Sequence, residues 1–267
     1  MKKDLHRQLN ILKTTFKFIL NSFPRPWLIA LSAVIQPFLV FCYRGTRYTD
    51  PIDNQSFRKL LPYGYKNSRE NVLSPSTFSL ERHRLLWLFL KTNTNFFTNE
   101  KKVLHFAPEQ AFYERFKKMK NLDYTTTDLN SPIADIKADI CQLPFASNSY
   151  DFILCNHVLE HIPNDLEAMQ ELFRVMTPGG MGIFQIPLDM NRNTTFEDNS
   201  ITEPKQRTKI FGQYDHVRVY GLDYFKRLES CGFKVEKVDF TKTLSKQEIS
   251  KYCLSEGEII PVVYKPN

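Results

Sequence analysis

The stretch Lys102-Val103-Leu104-His105-Phe106-Ala107-Pro108-Glu109, with Tyr124-Thr125-Thr126-Thr127-Asp128 behind it, decides the reading of this 267-residue chain. Its first part is an apolar, β-prone run that stops at a turn and gives way to a helical pattern over 110–120. Pro108 suits the first turn of that helix, where no amide hydrogen is needed, and the Glu109 carboxylate suits the helix's positive end. The second strand stops on Asp128, roughly 20 residues past the first turn, where nucleotide-binding α/β folds place the carboxylate that takes ribose hydroxyls.

Downstream, Ala138-Asp139-Ile140 leads to Leu143-Pro144-Phe145. Then come Tyr150-Asp151-Phe152-Ile153-Leu154-Cys155-Asn156-His157-Val158-Leu159-Glu160-His161 and Arg174-Val175-Met176-Thr177-Pro178-Gly179-Gly180. This ordered series, over about 104–187, resembles the class I S-adenosylmethionine-dependent methyltransferases, in particular the type 11 group. The resemblance implies a Rossmann-like α/β fold: a seven-stranded, mostly parallel sheet with helices on both faces, here preceded by a helical N-terminal extension. It also implies S-adenosylmethionine as cofactor, in contact with His105, Phe106, Ala107, Glu109, Asp128, Leu129, Asp139, Ile140 and Asn156. The family's Asp-x-Gly-x-Gly-x-Gly loop is replaced by His105, Ala107, Glu109 and Ala111. Bare glycine amides serve a pyrophosphate. S-adenosylmethionine carries a sulfonium cation and no phosphate, so a small Ala107 beside a carboxylate suits it; the equal alternative is that Glu109 serves only to start the helix.

A methyl transfer needs an aligned acceptor and a group to take its proton. His157, at the end of the Tyr150 strand, is the first candidate base, or else a packing residue against adenosine. Glu160 and His161, a turn later, are read as capping or orienting that turn. His216, activated by Asp215, is the second candidate base. Arg218 is assigned to an acidic acceptor and Tyr220 to a hydroxyl donor. These four residues close a polar stretch over 188–221 read as a lid or loop, since a connection of that length inside a domain is usually functional. Asn164 and Glu167 suggest a capping box, with Ala168, Leu172 and Val175 on the inner face of a helix stopped by Gly179-Gly180. Residues 233–240 and 258–264 are expected as the antiparallel edge pair.

The formal charge of +7 is concentrated at the start, where Lys2, Lys3, Arg7, Lys13, Lys17 and Arg25 face a single acid, Asp4. A nucleic-acid groove is therefore not expected. Leu9, Leu12, Phe16, Ile19 and Leu20 at helical spacing describe a basic amphipathic helix. The uncharged run 26–43 that follows is interrupted by Ser32, Gln36 and Pro37, and spanning, lying in the interface and packing on the body all remain open for it. Five scattered cysteines argue for a reducing compartment. Location is expected in the cytoplasm, with attachment at the cytoplasmic face of the membrane left open.

Three regions are expected: an extension over 1–41, a connecting module over 42–90 and the catalytic domain over 91–267. The connecting module resembles a zinc-ribbon-like front module of a bacterial subgroup, but Ser74 and Thr77 stand at the second thiolate pair and Cys42 has no near partner. A four-thiolate site cannot be built, and no metal site is expected. His83, between Arg82 and Arg84, is read as a solvated or packing residue. The function expected is methyl transfer to a small-molecule, lipid-linked or glycan acceptor; the alternative is an inactive relative kept as a scaffold. No Gly-x-Gly-x-x-Gly follows a strand, which weakens a nicotinamide oxidoreductase reading.

Overall fold

A computed structural model describes residues 25–64 and 68–267; the amphipathic helix expected before residue 25 lies outside them. The chain opens with α1 (Arg25–Tyr43) and two short antiparallel pairs, β1 (Arg44–Thr49) with β2 (Ser56–Phe57) and β3 (Leu61–Tyr63) with β4 (Arg69–Leu73). Helix α2 (Glu81–Asn93) leads into β5 (Lys101–Phe106), α3 (Gln110–Phe116), β6 (Leu122–Asp128), β7 (Ile136–Lys137) and β8 (Tyr150–Cys155). A 3-10 turn at Leu159–His161 precedes α4 (Asp165–Val175) and β9 (Met176–Ile183). The lid region holds β10 (Phe196–Glu197), α5 (Pro204–Ile210) and β11 (Arg218–Val219), and the chain ends through α6 (Tyr224–Ser230), β12 (Lys234–Val238), α7 (Lys246–Lys251) and β13 (Ile260–Tyr264).

Seven of these strands form one sheet in the order β12-β13-β9-β8-β5-β6-β7. The five central and right-hand strands run parallel, while β13 is antiparallel to both β9 and β12. This is the expected Rossmann-like sheet, with the edge pair where the sequence put it. Strand order reverses between β5 and β8, and ligands of open α/β sheets bind outside the carboxyl ends of strands at such a switch point. The central strands are continuous apolar runs because both faces are covered. On one face Leu104, Ile153 and Cys155 pack with Ala168, Leu172 and Val175 of α4 and with α6. On the other, Val103, Phe152 and Leu154 pack with Leu85, Leu86, Phe89 and Leu90 of α2 and with Phe112 and Phe116 of α3.

Three sequence expectations change here. The expected boundary at 90/91 falls inside α2, whose Trp87 ring stacks on Phe112 and Phe116 at centroid distances of 6.3 and 6.0 Å. Helix α4 stops at Val175, not at the glycines: Tyr150 pairs with Met176 and Phe152 with Met181, so 177–180 bulge out of β9. Gly179, with φ +74°, supplies the left-handed residue of that bulge. Asn164 is the N-cap of α4, but its side chain bonds Glu167 Oε2 at 3.3 Å and no backbone amide, so the reciprocal capping box does not form.

Among the described residues no helix is long and apolar enough to cross a membrane. Helix α1 keeps Pro37 inside it and leaves Val34, Phe38 and Phe41 at least 66% exposed along one face.

Candidate active site at the carboxyl ends of β5 and β8

Ala107 follows β5 with φ +46°, and His157 follows β8 with φ +55°. Left-handed backbone at a residue bearing a Cβ costs on the order of 1 kcal/mol or more and collects at functional sites. Both conformations are fixed from the neighbouring strand: the Ala107 amide donates to Thr127 O at 2.9 Å and the His157 amide to Gln185 O at 2.7 Å. Ala107 thus holds a left-handed backbone that glycine adopts at no steric cost.

A buried polar chain crosses the switch point. His105 Nδ1 lies 2.7 Å from the Tyr124 hydroxyl and Nε2 lies 2.5 Å from Glu109 Oε2. Asn156 Nδ2 donates to Glu109 Oε1 at 3.1 Å, and Asn156 Oδ1 accepts from the Gln185 amide at 3.3 Å. His105 is fully buried and Asn156 is 3% exposed, so each needs these partners. Burial pushes the Glu109 carboxyl up, but the charge and hydrogen bond of His105 and the charge of His83 outweigh it and hold the group down at about 2. Burial first, then Glu109, keep the Tyr124 phenol well above its usual range, so its hydroxyl stays protonated beside the His105 ring. Glu109 is an ionised carboxylate braced across β6, β5 and β8, and it does more than start a helix.

Asp128 ends β6 beside this turn. Its Oδ1 accepts from the amides of Asn130 and Ser131 at 2.7 and 2.6 Å, closing a turn, while Oδ2 makes no hydrogen bond among the described residues. Leu129 beyond it is 60% exposed and Ile140 is 5% exposed. Asp139 is exposed, and its Oδ1 accepts from the Cys141 amide at 2.9 Å. Phe106 is 3% exposed inside the α4-side core, so the structure makes it a core residue and not a stacking platform.

His157 lines a cavity of about 240 Å³ together with Gln185, Pro187 and Leu188 after β9, Glu258 before β13, and Arg69, Glu81 and Arg82 from the front of the chain. Its Nδ1 lies 3.3 Å from Glu160 Oε1, and its Nε2 is buried with no hydrogen-bond partner. Burial raises the Glu258 carboxyl, against the lowering charges of His157 and Arg82. His83 is buried beside the site: its Nδ1 accepts the Leu80 amide at 3.1 Å, and burial together with Arg82 lowers its pKa to about 3. It is a packing residue, as expected.

The lid residues take other positions than the sequence suggested. Asp215 does not meet His216; its Oδ2 lies 3.4 Å from His161 Nδ1, and His216 Nδ1 donates to the Phe211 carbonyl at 3.2 Å. Arg218, 2% exposed, spends its donors on the carbonyls of Leu159, Ile162 and Pro163 and on Glu197. Tyr220, fully buried, donates to Asp165 Oδ2 at 2.7 Å and reaches the Leu159 carbonyl at 3.3 Å. Both brace the Leu159–His161 turn from behind and present nothing to an acceptor. Sequence reasoning missed Tyr124 and Gln185 in the polar chain and Arg82 and Glu258 on the cavity wall. Only the pairing of β5 with β6 at His105↔Thr126 brings Tyr124, two residues earlier, within reach of the imidazole.

Residues 99–184 match the family model described as methyltransferase domain. The match covers β5 through β9 and so contains both strand ends that build the switch point. A demethylmenaquinone methyltransferase of Listeria monocytogenes is 30% identical over 69 residues, which is 26% of this chain and 29% of that protein. A Staphylococcus epidermidis demethylmenaquinone methyltransferase is 39% identical over 46 residues, 17% of this chain and 19% of that protein. The chain therefore spans under a third of the length of these curated relatives. Among solved structures, a 1,6-didemethyltoxoflavin-N1-methyltransferase of Burkholderia thailandensis with bound 1,6-didemethyltoxoflavin and S-adenosylhomocysteine is 11% identical, with TM-score 0.45, covering 70% of this chain and 78% of that one.

Proposed function

We propose that this chain is an S-adenosylmethionine-dependent methyltransferase that holds its cofactor against the 105–109 turn, Asp128 and Asn156 and takes its acceptor into the cavity beside His157. The observation that carries the reading is the ionised Glu109 carboxylate fixed at the reversal of strand order, beside an Ala107 that keeps a glycine-like backbone. A held anion suits a ligand bearing a sulfonium and an ammonium, where a phosphate would be repelled. Asp128 Oδ2, which makes no hydrogen bond among the described residues, is the atom assigned to accept from a ribose hydroxyl. When bound, the cofactor supplies an electrophilic methyl group.

The chain's own contribution is position and proton removal. His157 lines the cavity with Nδ1 held 3.3 Å from Glu160 Oε1, and its imidazole is the base we assign to take a proton from an acceptor hydroxyl or amine. Arg69, Arg82, Glu81 and Glu258 around that cavity fit a polar, hydrogen-bonding head group. The exposed face of α1 and the basic segment before it fit a peripheral contact with an anionic membrane, which would bring lipid-linked acceptors to the site from the cytoplasmic face.

Thermal unfolding with S-adenosylhomocysteine tests the cofactor assignment. At a hundred times its dissociation constant a ligand adds about 2.7 kcal/mol of stability, a rise of several degrees for a chain of this size. An unchanged midpoint at millimolar ligand contradicts the assignment.

A further inference from the structure

We propose that Glu160, His161 and His216 form a binding site for a divalent first-row cation such as zinc or manganese. One donor atom from each residue lies within 4.8 Å of the others. Glu160 is 2% exposed, and its Oε2 is buried without a hydrogen-bond partner. An orphaned carboxylate oxygen costs roughly 1–3 kcal/mol or more unless something satisfies it, and a cation between two imidazoles does so. Two imidazoles with one carboxylate suit zinc, manganese or iron better than the all-oxygen sets of calcium and magnesium.

Both rings are aimed from behind in the way metal-bound histidines usually are. His216 Nδ1 donates to the Phe211 carbonyl, and His161 Nδ1 faces the Asp215 carboxylate at 3.4 Å, which leaves the other nitrogen of each ring for the cation. The rings meet edge to face with centroids 4.8 Å apart. Arg218 and Tyr220 fix the Leu159–Pro163 backbone that carries two of the three ligands, and the Val217 amide donates to the Glu160 carbonyl at 3.0 Å, joining the lid to that turn. Ligand bonds near 2.1 Å require the three side chains to draw in by roughly 1 Å, a rotamer adjustment for His161, which is 28% exposed.

Three protein ligands leave a coordination position open to water or to an acceptor oxygen. The site abuts the catalytic cavity because Glu160 Oε1 is shared with His157 Nδ1. A hydroxyl or carboxylate oxygen of the acceptor bound to the cation would sit beside the His157 ring. The donors come from the turn after β8 and the segment before β11, neither of which belongs to the front module where thiolates are missing.

The test uses the full chain, stripped with chelator and dialysed, then titrated with zinc chloride by calorimetry and with cobalt(II) chloride by visible absorption. The expected result is one cation per chain in the parent and at least tenfold weaker binding in Glu160→Gln and in His216→Ala, each checked for the parent's circular dichroism. If His216→Ala does not fold, His161→Ala, nearer the surface, answers the same question. Asp215→Asn should lose on the order of tenfold without removing a ligand. No binding by the parent, or binding that these variants leave unchanged, as it would be if cysteines held the metal, overturns the proposal.

Discussion

Glu109 stands where the family pattern has a glycine, and its chemistry follows from the neighbours His105, Asn156 and His83. The carboxylate sits between the His105 ring and the Asn156 amide, so ionisation is favoured in the folded state and its pKa falls from 4.5 to about 2. A depressed carboxyl pKa contributes stability that is fully present above 4.5 and drains away as pH falls toward 2. The parent chain is therefore expected to lose stability across that window more steeply than Glu109→Gln, as read by urea unfolding at stepped pH. Parallel curves for the two chains would contradict the brace. Arg218 gives a second residue-level prediction. Replacing it by Met strips three turn carbonyls of a buried donor and leaves Asp165 with less compensation, a loss of roughly 3–5 kcal/mol measured by chemical denaturation. A loss under about 1 kcal/mol would mean the turn holds itself.

At the scale of elements, one buried arginine joins three segments far apart in sequence. Arg84, on α2, donates to the Val72 and Ser79 carbonyls at 2.9 and 2.8 Å and to the Tyr252 and Cys253 carbonyls at 2.7 and 2.9 Å. Arg84→Met is expected to destabilise the chain by about 3 kcal/mol or more and to loosen the end of α7 and the 74–79 turn first, which hydrogen exchange would resolve. In that turn, where the resemblance placed thiolates, Thr77 and Ser79 hydroxyls donate to the buried Asp50 carboxylate and close the loop with hydrogen bonds. Strands β5 and β8 were legible in the sequence because parallel strands covered on both faces read as apolar runs, β6 was legible from its aromatic and β-branched stretch Tyr124 to Thr127, and Asp128 fell at the strand end where its spacing put it. The lid was not. Which of Asp215, His216, Arg218 and Tyr220 faces inward is decided by contacts with the Leu159–Pro163 turn, and sequence order carries no trace of those contacts. The Met176 helix end failed for a similar reason, since paired glycines serve a helix stop and a strand bulge equally well.

For the molecule as a whole, the proposed reading assigns delivery to α1 and chemistry to the switch point. Val34, Phe38 and Phe41 form an exposed apolar face behind a basic segment, and each basic residue near an anionic surface contributes about 1 kcal/mol, screened over ~8 Å at physiological salt. Sedimentation with anionic vesicles should pellet the parent at low salt and release it at high salt. Phe38→Glu with Phe41→Glu should remain in the supernatant, and pelleting of that double variant to the same extent as the parent would remove α1 from the contact. The central claim is that 105–109 and Asp128 hold S-adenosylmethionine, and calorimetry with S-adenosylhomocysteine on the parent and on Asp128→Asn tests it most directly. The Asn side chain keeps an oxygen for the Asn130 and Ser131 amides, so the turn is retained while the carboxylate proposed to take a ribose hydroxyl is lost. The account predicts binding by the parent that weakens by roughly 1.5–3 kcal/mol, about ten- to a hundredfold, in the variant. Absence of binding by the parent, or equal affinity in the two chains, would contradict it.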